Sequence, residues 1–279
     1  MKCTIIVDNS ASLHGGRPFL AELGFSLLIE YDNRMILFDT GSSQASTHNL
    51  SLLGIHPKKL DALVLSHGHI DHVGGLLKLL QVGKKQYPLY AHPGIFSPHY
   101  IIRGIARDYC GLPYTRVQLS SLGVDWRLSE GPQEIAPNLW LSGQIPRKTS
   151  FESVGKQLVT IDEDGKESHD LIADDTALFY AGKKGLVVIS GCTHSGLVNT
   201  IQYGLEITGA KRLSGWIGGT HLGPAKEQQI SETMRSIEEL NPDFMMTGHC
   251  TGFAAMSELS RLLGNRFIPG LVGTEIELE

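Results

Sequence analysis

The chain has 279 residues, 41% of them hydrophobic and 19% charged, and its formal net charge is −5. This is ordinary globular composition, and the negative balance argues against a broad basic face for nucleic acid or an anionic membrane. No window approaches the roughly 18–20 apolar residues of a membrane span, and Cys3, Cys110, Cys192 and Cys250 lack the paired spacing of a disulfide framework.

The first run, Met1 to Asp8, is broken by an acid after a few apolar positions, so it reads as a strand and not as a signal-peptide core. Phe25–Glu30 and Arg34–Asp39 form a hairpin pattern around Asp32-Asn33. Leu60–Ser66 reads as a buried strand, and a helix follows from about Gly75 to Leu80. Leu89-Tyr90-Ala91 is a short strand. The stretch 96–125 has scattered aromatics and few periodic cues, and is read as an insertion beside the site. Strand signals return at Leu139–Ser142, Gln157–Ile161, Ala177–Tyr180 and Gly185–Ser190, the last two joined by a hairpin-type loop. Helices are expected over Gly196–Thr208, Pro224–Leu240 and Ala254–Leu263, with a strand at Phe244–Thr247. With no linker, repeat or low-complexity tract, residues 1–279 read as one domain with two sheets packed together and helices outside. The expected location is the cytoplasm.

The chemistry concentrates in His67-Gly68-His69-Ile70-Asp71-His72, directly after a buried strand. A strand end is a stiff platform from which a short loop points several side chains inward. Imidazole and carboxylate are the ligands of zinc and related first-row ions. One tetrahedral ion cannot readily use all four groups at this spacing. His67 and His69 can share one cation while Asp71 and His72 serve a second. Gly68 is expected to allow backbone conformations that a larger residue resists.

This run resembles the H-x-H-x-D-H motif of the metallo-β-lactamase superfamily, and Leu37-Phe38-Asp39-Thr40-Gly41 resembles that family's preceding strand and turn. The resemblance covers essentially the whole chain. It implies an α/β (α+β) fold, a four-layer αββα sandwich with two divalent cations at one edge between the sheets. Zinc is the expected metal, with iron and manganese as alternatives. The family's last ligand matches His249 in Thr247-Gly248-His249-Cys250. The bridging position, usually Asp, is Cys192 here, with His194 two residues on. Either could bind metal, and His194 is favoured as completing a set with His67 and His69. The family's histidine before that strand pair is missing. Asp174-Asp175 stands there instead, with Asp175 a weaker candidate ligand or an orienting carboxylate. Asp39 is expected behind the ligands. His14, His48, His56, His92, His99 and His169 are read as surface or packing residues.

Gly191-Cys192-Thr193-His194, Gly218-Gly219-Thr220-His221-Leu222 and Gly248-His249-Cys250 resemble the branch that includes archaeal dihydropterin-type synthases. The resemblance implies hydrolysis of a small phosphodiester or other ester by a metal-generated hydroxide. His67, His69 and His194 would hold one cation, and Asp71, His72 and His249 the other. Asp71 would orient the nucleophile and His221 would contact substrate or transfer a proton. The alternatives are a transferase joining a dihydropterin to an aminobenzene ribofuranosyl phosphate, and a metal-binding or sensing protein without turnover. The expected partner is a small molecule, with neither nucleic acid nor membrane.

Overall fold

The computed structural model describes residues 1–12 and 16–279, so His14 lies outside the described residues. In chain order the first half contributes β1 (Lys2–Val7), β2 (Ser26–Tyr31), β3 (Arg34–Phe38), α1 (Ala45–Leu52), β4 (Ala62–Val64), α2 (Ile70–Val73), α3 (Leu76–Gly83) and β5 (Tyr87–Ala91). Then come the hairpin β6 (Tyr100–Arg103) and β7 (Ala106–Tyr109), α4 (Arg116–Ser121) and β8 (Val124–Leu128). The second half contributes β9 (Gln133–Ala136), β10 (Leu139–Leu141), β11 (Leu158–Ile161), β12 (Glu167–His169), β13 (Ala177–Gly182) and β14 (Gly185–Ser190). It ends with α5 (Leu197–Thr208), β15 (Leu213–Gly218), α6 (Glu227–Leu240), β16 (Phe244–Thr247), α7 (Phe253–Leu263), β17 (Phe267–Pro269) and β18 (Glu275–Glu277).

Two seven-stranded sheets carry the fold, ordered β18-β1-β2-β3-β4-β5-β8 and β17-β16-β15-β14-β13-β10-β9. Their central strands are largely buried on both faces, which is why they read as nearly continuous apolar runs. In β2, Leu27 and Ile29 join the core between the sheets while Leu28 faces α1 and α3. In β14, Val187 and Ile189 point between the sheets while Leu186 and Val188 face α5, α6 and α7. This period-two division gives the four layers of an αββα sandwich.

The element β15 escapes a pattern reading because two glycines and a serine interrupt its apolar run. Both glycines are required by close contacts. A methyl at Gly215 would lie 2.1 Å from the Phe244 ring, and one at Gly218, where φ is +115°, would lie 2.0 Å from the Ser190 carbonyl oxygen.

The stretch 96–125 divides. Its hairpin, β6 and β7, pairs with β11 and β12 in a separate four-stranded sheet ordered β12-β11-β6-β7. Its later part, α4 and β8, belongs to the first main sheet, where β8 runs parallel to β5 with Tyr87 opposite Val124. Phe96 packs edge-on against Trp126, with ring centroids 5.0 Å apart.

Candidate metal centre

Every chemically active loop leaves the C-terminal end of a parallel strand. The strand β4 runs parallel to β3 and β5, and β14, β15 and β16 run parallel to one another. Beyond β4 come His67, His69, Asp71 and His72; beyond β14 come Cys192 and His194; beyond β15 comes His221; beyond β16 comes His249. Parallel strands therefore deliver these residues to one edge of the sandwich. The turns are demanding. Asp39, Thr193, His221 and His249 all have positive φ, between 49° and 68°, a costly region for side chains of this size.

The rings meet there. His67 lies 4.6 Å from His69, 4.3 Å from His72 and 4.9 Å from His194, measured between centroids. His69 and His194 are 4.8 Å apart. His72 Nε2 is 3.1 Å from Cys192 Sγ and 3.2 Å from His249 Nε2. Asp71 Oδ2 is 3.4 Å from His249 Nε2 and 3.9 Å from His72 Nε2. Two groups have ligand atoms all within 4.8 Å of one another: Asp71, His72, Cys192 and His249, and His67, Cys192 and His194. Cys192 belongs to both, in the place between the two. His69 stands against the second group by its ring contacts with His67 and His194 but falls outside that limit.

Hydrogen bonds behind the rings fix how they point. Asp39 is fully buried; its Oδ2 accepts from His72 Nδ1 and from the Ser66 hydroxyl, both at 2.7 Å, and its Oδ1 accepts from the Ser66 amide at 2.7 Å. His67 Nδ1 in turn donates to the Ser66 oxygen at 2.9 Å. With Nδ1 of both rings engaged in these bonds, Nε2 of each is the nitrogen that faces the cluster. His249 is held by its Nδ1 against Asn9 Oδ1 at 3.0 Å, and its amide donates to Asp8 Oδ2 at 2.7 Å.

The donor set fits a cation. His67 Nε2, His69 Nε2 and both nitrogens of His194 are buried with no hydrogen-bond partner among the described residues. Leaving such groups unsatisfied is costly, and a divalent cation would take the one lone pair that each neutral ring presents. Burial lowers the pKa of His67 and His194 well below the usual imidazole value, of His69 to about 4 and of His249 to about 3. These rings are neutral, as ligation requires. Burial opposes charge on His72 too, but Asp71 and Asp39 outweigh it and hold that ring at about 9. Burial raises the Cys192 thiol, an effect that a neighbouring cation reverses.

The other residues singled out by sequence take different places. Asp174 Oδ2 accepts from the Gly68 amide, and Asp175 Oδ2 from the Ser195 amide, both at 2.7 Å. Neither carboxylate is in the two ligand groups, and each holds a backbone amide of a loop that carries ring ligands. Gly68 has an ordinary φ. Its requirement is space: a methyl there would lie 2.8 Å from the Ile95 carbonyl oxygen and 3.0 Å from His99 Nε2. His221 packs 4.2 Å from His194, and burial lowers its pKa to about 4.

Two residues at the site gave no local signal. His99, read as surface or packing, is buried with its Nδ1 2.5 Å from Asp170 Oδ2, its Nε2 3.6 Å from Asp174 Oδ1 and its ring 5.1 Å from His69. Burial opposes its charge, but the bond to Asp170 and the nearby Asp174 carboxylate lift it to about 9. Asp8, read only as a strand breaker, holds the His249 amide, and burial lifts its carboxyl to about 7. Both connections span long stretches of chain, so no window of sequence contains them. His92 is buried and caps its own turn, while His48, His56 and His169 are away from the cluster of ligand rings.

The sandwich and the ring cluster at its edge define a metallo-β-lactamase fold, and the chain belongs to the metallo-β-lactamase superfamily. The family model of that name matches residues 21–101. The chain is 33% identical over 251 residues to 7,8-dihydropterin-6-methyl-4-(beta-D-ribofuranosyl)-aminobenzene-5'-phosphate synthase of Methanocaldococcus jannaschii, covering 85% of this chain and 84% of that protein. Among solved structures it resembles Tm1679, described as a metal-dependent hydrolase of the β-lactamase superfamily. That match has a TM-score of 0.84 and 26% identity over 99% of this chain and 98% of the other. Zinc-bound PqqB from Methylobacterium extorquens shares the fold at a TM-score of 0.57 and 15% identity, over all of both chains.

Proposed function

We propose that this protein is a metal-dependent hydrolase that cleaves a small phosphodiester or other ester at a pair of divalent cations, with zinc the expected metal. The observation that carries this reading is the pair of ligand groups meeting at Cys192, with unpartnered imidazole nitrogens aimed into it. In this reading His67, His69 and His194 hold one cation, Asp71, His72 and His249 hold the other, and Cys192 lies between. When bound, a divalent cation supplies Lewis acidity toward an ester oxygen and makes water acidic enough to react near neutral pH.

The protein's own groups supply orientation. Asp39 keeps the proton on His72 Nδ1 and, through Ser66, on His67 Nδ1. Asp71 is the half-buried member of its group, and its carboxylate orients the attacking water from the open side. His221, neutral at physiological pH, offers a hydrogen bond to the bound substrate at the edge of the cluster. Purified protein is expected to contain near two cations per chain and to lose turnover on a panel of phosphodiesters, thioesters and lactams when they are chelated. Full activity after stripping overturns the reading.

A second reading, a pterin-linked transferase, is favoured by the 33% identity to the archaeal synthase. Incubation with a dihydropterin diphosphate and an aromatic amine separates the two, since only the transferase forms a coupled product.

A further inference from the structure

A cavity of about 370 Å³ opens beside the metal centre. One wall is the segment before β11, with Lys156 and Gln157; another is the start of α6, with Lys226 and Gln229; His169 and His221 also line it. His221 is the shared wall, since its ring also packs 4.2 Å from His194.

The charge of this cavity runs against that of the chain. Acids outnumber bases by 29 to 24 overall, yet no Asp or Glu lines the cavity and two lysines do. Both lysines are exposed, and no ion pair among the described residues involves either. Their charge is therefore available to a ligand. The fourteen-residue helix α6 adds to it. Its N-cap is Lys226, no side chain caps it, and Lys226 and Gln229 bring the positive end of its dipole to the cavity wall. Glu227, in its first turn, does not line the cavity. His221 lines the cavity, and Gln157 and Gln229 add amide donors.

Two cationic side chains, an uncapped helix start and uncharged donors around one space free of carboxylates favour a compact, multiply charged oxyanion. The volume is too large for a free phosphate and lies near the low end of the roughly 300–1,000 Å³ of small-molecule sites. We infer that this cavity is a substrate subsite for the phosphate group of a small organic phosphate monoester, whose other end reaches the metal centre past His221. The inference rests on the hydrolase reading for the reaction at that end, but binding in the cavity is measurable without turnover.

Calorimetric titration of the metal-loaded protein with ribose 5-phosphate, ribose and inorganic phosphate tests it. Ribose 5-phosphate should bind at least tenfold more tightly than either of the others. Lys156→Ala and Lys226→Ala, both at exposed positions, should each weaken it by roughly three- to tenfold, and the double variant by more. Rising salt should weaken it further. After chelation the lysine dependence should persist, because the cavity lies outside the ligand groups. Three results overturn the inference: lysine variants that bind as the wild type does, binding lost entirely on chelation, or inorganic phosphate binding as tightly as the ester. A protein that hydrolyses esters but gives any of these keeps the proposed reaction and loses the subsite. A protein that binds as expected but turns over no ester keeps the subsite and loses the reaction.

Discussion

The two halves of the metal centre are braced in different ways. Around His72 and His249 the rings themselves are held, by Asp39 and Asn9 on their outer nitrogens. In the other half only the His67 ring is held, through Ser66; His69 Nε2 and both nitrogens of His194 have no partner among the described residues, and the backbone beside them is held by Asp174 on Gly68 and Asp175 on Ser195. A ring whose outer nitrogen carries a fixed proton has its tautomer set before a cation arrives. A buried ring without a partner gains its hydrogen-bonding equivalent only from the cation. The first half is therefore the more fully preorganised, and His69 and His194 in the second gain the larger share of their stability from occupancy.

The sharpest way to break this contrast is Asp39→Asn. An amide NH2 cannot accept from the His72 ring and the Ser66 hydroxyl, so two buried donors lose their acceptor. Affinity for the cation on the His72 side should fall by about 10–100-fold, with activity falling alongside, and metal titration checks it. In chelated protein the same change should cost about 1–3 kcal/mol. His194→Ala should cost chelated protein far less, because it removes two nitrogens that already lack partners. Equal losses from both variants in denaturant titrations of chelated protein would erase the distinction between the halves.

Gly68→Ala attacks the backbone of the second half. The new methyl meets a backbone oxygen at 2.8 Å and His99 at 3.0 Å, so the loop or His99 must shift. The expected cost is about 1–3 kcal/mol, with weaker metal binding on the His69 side and little change on the His72 side. An unfolding midpoint equal to wild type would mean the loop yields freely, against the tight backbone hold by Asp174.

The same contrast explains what was legible in the sequence. The His67–His72 run, the doubly buried strands and the outer helices α5, α6 and α7 announce themselves because their information is local: a burial period, a dense ligand run, a Gly-His turn. The outer supports do not, since Asp8 meets His249 and Asp174 meets Gly68 only after the sheets assemble. The small third sheet was only partly readable for a different reason. Every residue of β7 and β12 is exposed, so neither strand has a buried face to produce alternation. The strand β15 lost its apolar signal to glycines that serve its neighbours rather than its own strand.

The smallest expected effect comes from Asp175, whose backbone hold on the second half carries a pH cost. Burial raises its carboxyl from 3.8 to about 6 in the folded protein. Between these values the unfolded chain has released the proton and the folded chain has kept it. Folding takes up a proton there, so this residue's contribution to stability declines as pH rises from 3.8 to about 6 and levels off above. Asp175→Asn keeps an oxygen to accept from the Ser195 amide and removes the charge. Its melting temperature should decline less than that of wild type across that window, with the two curves parallel above about pH 6. Parallel curves throughout would mean that Arg147, the cation that favours the charged form of Asp175, offsets the burial in full, and the second half would then be charge-braced much as the first is through Asp39.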